Sequence, residues 1–233
     1  MCYRLSNTAN KHAIEEEFNV QFKYPKLHRN NPVINGLEES FISVITMEEP
    51  KSVSYAIWGI LPKLYEDDWE HYQNIQNTLN IEYDKIDEEQ LYSEALMNRR
   101  CLIIVTGFFT YYLHKGELYP YYVHLTNEKP FALAGIYNQL KDGFITCALI
   151  LSKANSFISK IHNSNHSMPF ALDEDMQKLW LDDSLDYTET HQLLGKKINL
   201  DFSAHPIAKE FHKIGVTYDS VLEPVFYKDI PKQ

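Results

Sequence analysis

The stretch Arg99-Arg100-Cys101-Leu102-Ile103-Ile104-Val105-Thr106-Gly107-Phe108-Phe109-Thr110-Tyr111-Tyr112 sets the fold class. Its segment Cys101–Thr106 is short and rich in β-branched residues, which reads as a strand, and Gly107 behind it reads as a turn or bulge. Working outward, the same signature recurs at Phe41–Thr46, Val53–Trp58, Tyr121–Leu125, Phe131–Tyr137 and Thr146–Leu151, with Gly116, Gly135 and Gly143 as further punctuation. Helices are expected at Glu88–Met97, Ser156–His162, Asp173–Leu181 and Tyr187–Leu194. Asp173 is expected to cap its helix, with Glu174 and Asp175 in the first turn. Strands in a row, with helices between and after them, predict an α+β fold. We expect a single compact domain over residues 1–233, built on a mostly antiparallel, partly barrel-like sheet with flanking helices. The acidic stretches 66–70 and 84–89 are expected to be solvated surface.

Composition narrows the function classes. A chain of 233 residues with 44% hydrophobic and 13% aromatic residues can bury a sizeable core. Its formal net charge of -10 argues against a nonspecific nucleic-acid binder, which is normally basic. Three scattered cysteines, Cys2, Cys101 and Cys147, form no CxxC pair and point to a reducing compartment, with neither a disulfide framework nor a zinc site. No apolar run is long enough to span a membrane and the first twelve residues lack a secretory signal, so a cytoplasmic location is expected. The chain is expected to be a monomer that needs no cofactor and no metal.

Cys2 stands directly behind the initiator methionine. It is small enough there for that methionine to be trimmed, which would leave an α-amine (pKa about 7.7–8.0) and a thiol (about 8.5) on adjacent carbons. Such a 1,2-aminothiol can form a Schiff base with an aldehyde and then close a five-membered thiazolidine on it. By itself, a second-position cysteine is more often an ordinary residue on a frayed terminus.

A set of short motifs gives Cys2 its context. "MCYR" at the start, "WGILP" (Trp58 to Pro62), "TLN" (Thr78 to Asn80), "RRCLIIVTGFFTYY" (Arg99 to Tyr112), "FALAGIY" (Phe131 to Tyr137), "ILSKAN" (Ile150 to Asn155), "IHNSNHSMP" (Ile161 to Pro169) and "LEPV" (Leu222 to Val225) follow in order. Together they resemble the SOS response-associated peptidase family, also described as abasic-site-processing proteins. The resemblance implies a compact α+β domain with a DNA-binding cleft, and single-stranded DNA containing abasic sites as the partner. It also implies that Cys2 is the nucleophile, linked covalently to the ring-opened aldehyde of the abasic sugar.

The same resemblance implies roles for further residues. Asn80 falls at the family's active-site Asn, and its amide can donate to and accept from sugar hydroxyls without carrying charge. His162 falls at the active-site His, where it could shuttle a proton near neutral pH. His166 is the alternative, because "IHNSNHSMP" holds two histidines where the family has one. Two histidines four apart could also ligate a metal, but the Asn- and Ser-rich stretch is a poor helix and suggests no third ligand. DNA contacts are expected from Arg4, Lys63, Asn80, Ser152 and His166, with Arg99 or Arg100 as further candidates.

Departures from the family pattern are as informative. Thr110 stands where the family has a Glu that does acid–base work, and a hydroxyl cannot take up or deliver a proton near pH 7. Glu82 replaces an Arg after Asn80, Ser167 replaces the Arg before Met168-Pro169, and Leu64 lies near the position of a lost Trp. These changes remove phosphate contacts and a stacking platform. An abasic-site cross-linking protein is therefore the leading expectation. A divergent relative that keeps the fold as a binding or regulatory module is the alternative, and a thiol peptidase acting through Cys2 a third reading.

Overall fold

The computed structural model describes residues 2–164, 166–212 and 219–230. The first half runs β1 (Arg4–Asn7), α1 (Lys11–Phe18), β2 (Gln21–Phe22), β3 (Asn31–Asn35), β4 (Phe41–Thr46), β5 (Ser52–Trp58), α2 (Trp69–Ile75), β6 (Asn80–Glu82) and α3 (Gln90–Asn98). Then come β7 (Arg100–Val105), β8 (Gly107–His114), β9 (Glu117–Leu125), β10 (Phe131–Gln139) and β11 (Ile145–Lys153). The chain ends with α4 (Ile158–Ile161), β12 (Ser167–Pro169), β13 (Ala171–Leu172), α5 (Glu174–Trp180), α6 (Tyr187–Leu194) and β14 (Phe202–Pro206).

The fold is α+β, and two sheets, not one, share the core. The larger follows the order β12-β11-β10-β7-β4-β5-β2, with β6 added beside β11 and β13 beside β10. A parallel pairing of β5 with β11, from Ile145 opposite Ala56 to Cys147 opposite Trp58, joins β11, β10, β7, β4 and β5 into a ring. All the other pairings within that ring are antiparallel. The smaller sheet, ordered β14-β9-β8-β1-β3, is antiparallel throughout. A single continuous apolar cluster links ring, second sheet and helices, running from Leu5 and Ile14 through Ile103, Leu149 and Trp180. Burying side chains of this size contributes roughly 1.5–3 kcal/mol each against exposure, which offsets the entropy lost in fixing the strands. Among the described residues, no helix is long and apolar enough to cross a membrane.

The helices are started and stopped by local chemistry. Asp173 accepts from Met176 N and so caps α5, as its sequence suggests. Asp186 and Glu189 form a reciprocal capping box on α6. Arg100 is fully buried and donates to the carbonyls of Leu96 and Met97 at the end of α3 and of Trp180 and Asp182 at the end of α5. One guanidinium thus satisfies orphan carbonyls of two helices.

Several elements differ from the expectations. Gly107 is no turn: it opens β8, and a Cβ there would overlap the Tyr122 ring and lie 2.5 Å from Val123 O. The glycine permits close approach of β8 to β9. Gly143, with φ 91°, does sit in a turn, between β10 and β11. The 66–70 stretch is only partly solvated, because Trp69 is buried and its Nε1 donates to Trp58 O at 3.0 Å. Ile86 is likewise buried within 84–89. Each stretch carries one apolar residue among charged ones, and that residue alone turns inward.

Candidate active site

Cys2 leads into β1, which pairs with the start of β8 through Leu5 opposite Phe108 and Ser6 opposite Gly107. That pairing lays the chain terminus along β8, and Cys2, Thr110 and His162 come to line one narrow cavity with Tyr111, Ser167 and Met168. Three residues separated by 50 residues or more in sequence therefore meet at one place. The cavity, about 20 Å³, holds little more than a water molecule. Next to it lies a wider one of about 180 Å³, lined by Glu82, Asp84, Ser152, Lys153 and His166; Leu151 and Ser167 border both.

Each side chain is placed by a traceable local device. Cys2 is 5% exposed, and its thiol donates to Arg4 O at 3.3 Å. Burial pushes that thiol up to about 11, so it is protonated at neutral pH. His162 ends the short helix α4, which starts where Asn155 Oδ1 accepts from Phe157 N and Ile158 N and is pinned by buried Ile158 and Ile161. The Nδ1 of His162 lies 3.3 Å from Tyr111 O. Because a carbonyl can only accept, Nδ1 carries the proton in the neutral ring and Nε2 is left as a base. Burial lowers the pKa of His162 below the ordinary 6.5, which keeps the ring neutral at pH 7.

Asn80 is positioned by the two motifs that flank it. Trp58 Nε1 donates to Leu79 O at 2.9 Å, and Thr78 Oγ1 donates to Ile60 O at 2.7 Å. These bonds hold β6 parallel to β11, with Asn80 opposite Leu149. Asn80 lines neither cavity, but it shares a strand face with Glu82, which lines the wider one. Both polar atoms of its amide are buried with no hydrogen-bond partner among the described residues, and so are Thr110 Oγ1, Ser152 Oγ and Ser167 Oγ. Buried polar groups are nearly always paired, so the unpaired hydroxyls of Thr110, Ser152 and Ser167 on the two cavities mark a place suited to a polar ligand or water.

The expected DNA contacts fare unevenly. Arg4 lines neither cavity but touches the site through Tyr111, donating to its Oη at 3.3 Å, and lies over the Phe211 ring. Ser152 and His166 border the wider cavity. Lys63 lines neither cavity and pairs with Glu94 at 3.3 Å. Arg99 and Arg100 are structural: Arg99 binds Tyr137 O, Asn138 Oδ1 and Glu94, and Arg100 is the buried helix clamp. Leu64, near the lost Trp, is 72% exposed. Glu82 is paired with Lys85 at 2.9 Å and, with Asp84, makes part of the rim acidic.

Sequence reasoning missed Tyr111, Lys153 and Asn163. Lys153 lies inside the quoted "ILSKAN", and Tyr111 follows Thr110 directly, so both were signalled by the motifs. Asn163 was signalled only as one of several asparagines in a loop. Its role, a two-point grip on Leu113, depends on a strand 50 residues away.

Comparison with known proteins agrees with this architecture. A solved protein from Bacteroides thetaiotaomicron is 24% identical, covers 97% of this chain and all of its own, and superposes with a TM-score of 0.84. A protein from Bordetella bronchiseptica is 13% identical over 89% of this chain and all of its own, with a TM-score of 0.73. A phage-related protein from the same organism is 14% identical over 88% of this chain and 94% of its own, with a TM-score of 0.64. At these identities the likeness speaks for the fold. No curated protein matches the chain. The family model described as SOS response associated peptidase (SRAP) spans residues 1–214, and the chain belongs to that family.

Proposed function

We propose that this protein captures abasic sites in single-stranded DNA, through a thiazolidine formed by Cys2 once the initiator methionine has been removed. Family membership ties the chain to DNA damage. The observation that carries the finer reading is the convergence of Cys2, Thr110 and His162 on one cavity that the unpaired hydroxyls of Thr110 and Ser167 also line.

In this mechanism the α-amine of Cys2 attacks the ring-opened aldehyde, forming a C–N bond and a carbinolamine. Loss of water gives the Schiff base. The Cys2 sulfur then adds to that carbon, forming the C–S bond while the thiol proton passes to the nitrogen. His162 Nε2 is the base suited to relay these protons, and the Ser167 hydroxyl, which lines both cavities, suits a sugar hydroxyl. The narrow cavity takes only the reacting carbon, while the sugar and its phosphates occupy the wider neighbour, where Lys153 is the rim cation.

The test is to mix the purified protein with single-stranded DNA carrying one abasic site and measure the intact mass of the product. The expected species survives denaturant, weighs one water less than the sum of its parts, and is lost in Cys2→Ala, whose small buried side chain leaves the fold intact. Full cross-linking by the alanine variant would refute the thiazolidine.

A second reading has observations of its own. Thr110 replaces a carboxylate, and Glu82 and Asp84 place negative charge where phosphate would lie. These favour a relative that retains the fold as a binding module with weakened DNA processing. Absence of any adduct after prolonged incubation would support it.

A further inference from the structure

A second concentration of unpaired buried polar atoms lies at the other end of β11. The site at Cys2 is reached at Leu151, whereas a cavity of about 820 Å³ opens at Ile145, roughly 20 Å away along the strand at about 3.3 Å per residue. None of its lining residues borders the Cys2 cavities. The volume falls within the range of small-molecule sites, which are mostly apolar with a few convergent polar groups.

The floor and walls have distinct chemistry. Tyr137 is 2% exposed, and its hydroxyl makes no hydrogen bond of ordinary geometry, although Thr46 and Glu48 stand close to it. The Tyr55 hydroxyl is likewise buried and unpaired. Phe41 and Phe144 are 53% and 54% exposed on the cavity's edge, an unusual exposure for two phenyl rings flanking one opening. Phe144 ends the turn between β10 and β11, which Gly143 and the Asp142 side chain shape, the latter accepting from Phe144 N at 3.1 Å.

The charge balance selects the ligand. Lys23 lines the cavity but is tied to Glu49 at 2.9 Å. Glu48 and Asp142 also line it and make no ion pair among the described residues. Arg29 lies near Tyr55 without lining the cavity, and its Nη1 is held by the carbonyls of Lys26 and His28. Aromatic faces attract cations through their negative quadrupole, and carboxylates at the mouth add to that attraction. We propose that this cavity binds an organic cation, an alkylammonium or guanidinium group on an apolar stem, with the ring faces of Phe41 and Phe144 and the carboxylates of Glu48 and Asp142 around the charge. The cation could be a free amine or a lysine or arginine side chain of a partner.

The experiment is a calorimetric or NMR titration of the full chain with benzyltrimethylammonium, set against benzyl alcohol and benzoate. The cation is expected to bind at least tenfold more tightly than the alcohol, and benzoate not at all. Phe144→Ala is expected to weaken the cation about three- to tenfold, and Glu48→Gln about tenfold. Both positions sit at the cavity's edge, and an unchanged melting temperature identifies folded variants. Equal binding of cation and alcohol, or affinity indifferent to both substitutions, would overturn the proposal. n-Butylammonium and Nα-acetyl-lysine methylamide separate the sources. Tighter binding of the capped lysine supports a protein side chain and the reverse a free amine, while binding of neither overturns the proposal.

Discussion

Asn163 grips Leu113 by both of its backbone groups, its Oδ1 accepting from Leu113 N and its Nδ2 donating to Leu113 O, each at 2.8 Å. In the smaller sheet β1 covers β8 only at Gly107 and Phe108, so the far end of β8 has an open edge. The Asn163 amide takes the place of a strand there. It fastens the loop after α4 to β8 and so fixes the distance between His162 and the Tyr111 carbonyl.

Loss of this grip should show in chemistry before stability. Asn163→Ala removes two exposed hydrogen bonds, costing about 1 kcal/mol or less of stability. Adduct formation should slow several-fold, because His162 is then held only through α4 and its own long bond to Tyr111 O. Asn163→Gln, with one more methylene, should not restore the rate. A wild-type rate in the alanine variant would show that the position of His162 does not limit the reaction.

Thr110 is the position where restoring a carboxyl should help. A positioned acid or base contributes roughly 10²–10⁴-fold to proton-transfer steps, and the Thr110 hydroxyl lies buried and unpaired beside Cys2. Thr110→Glu is expected to speed formation or release of the adduct in a time course near pH 7. Identical rates in both directions would remove position 110 from the reacting centre.

Stability should fall on mild acidification. Burial holds His162 and His205 below the ordinary 6.5. The unfolded chain therefore takes up protons first as pH drops, so this part of the stability is fully present above pH 6.5 and is lost as pH falls toward the folded-state values. Urea midpoints should decline between pH 7 and 5.5, and His162→Gln should flatten part of that decline. A midpoint insensitive to pH over this window would contradict the burial of both rings.

Arg100 should matter to folding and not to DNA. Arg100→Leu leaves the carbonyls of Leu96, Met97, Trp180 and Asp182 without their donor. Each buried unsatisfied group costs about 1–3 kcal/mol, so chemical denaturation should show a loss of several kcal/mol. Any remaining folded protein should cross-link at the wild-type rate. Selective loss of cross-linking at unchanged stability would return Arg100 to the DNA-contact set.

Elements whose periodicity agreed with their burial were readable in advance. Phe41–Thr46 and Tyr187–Leu194 have the bounds expected from sequence, and Asp173 caps α5. β8 was not read, because Gly107 looks like punctuation in one dimension. Only the Tyr122 ring and the Val123 carbonyl across the sheet explain why a glycine sits inside a strand there. The basic residues misled for a related reason. Charge invites an assignment to solvent or phosphate, yet Arg99 and Arg100 spend theirs on backbone carbonyls and a neighbouring carboxylate.

By itself the sequence determined the fold class, the family resemblance and the presence of Cys2, since these depend on residue type, order and local periodicity. Tertiary structure decided what those residues do to one another. The β1–β8 pairing brings Cys2 to Thr110 and His162, and burial raises the thiol and lowers the imidazole. Proximity across 50 residues or more and desolvation are properties of packed chains, set by which strands pair and what excludes water, and no local pattern records them.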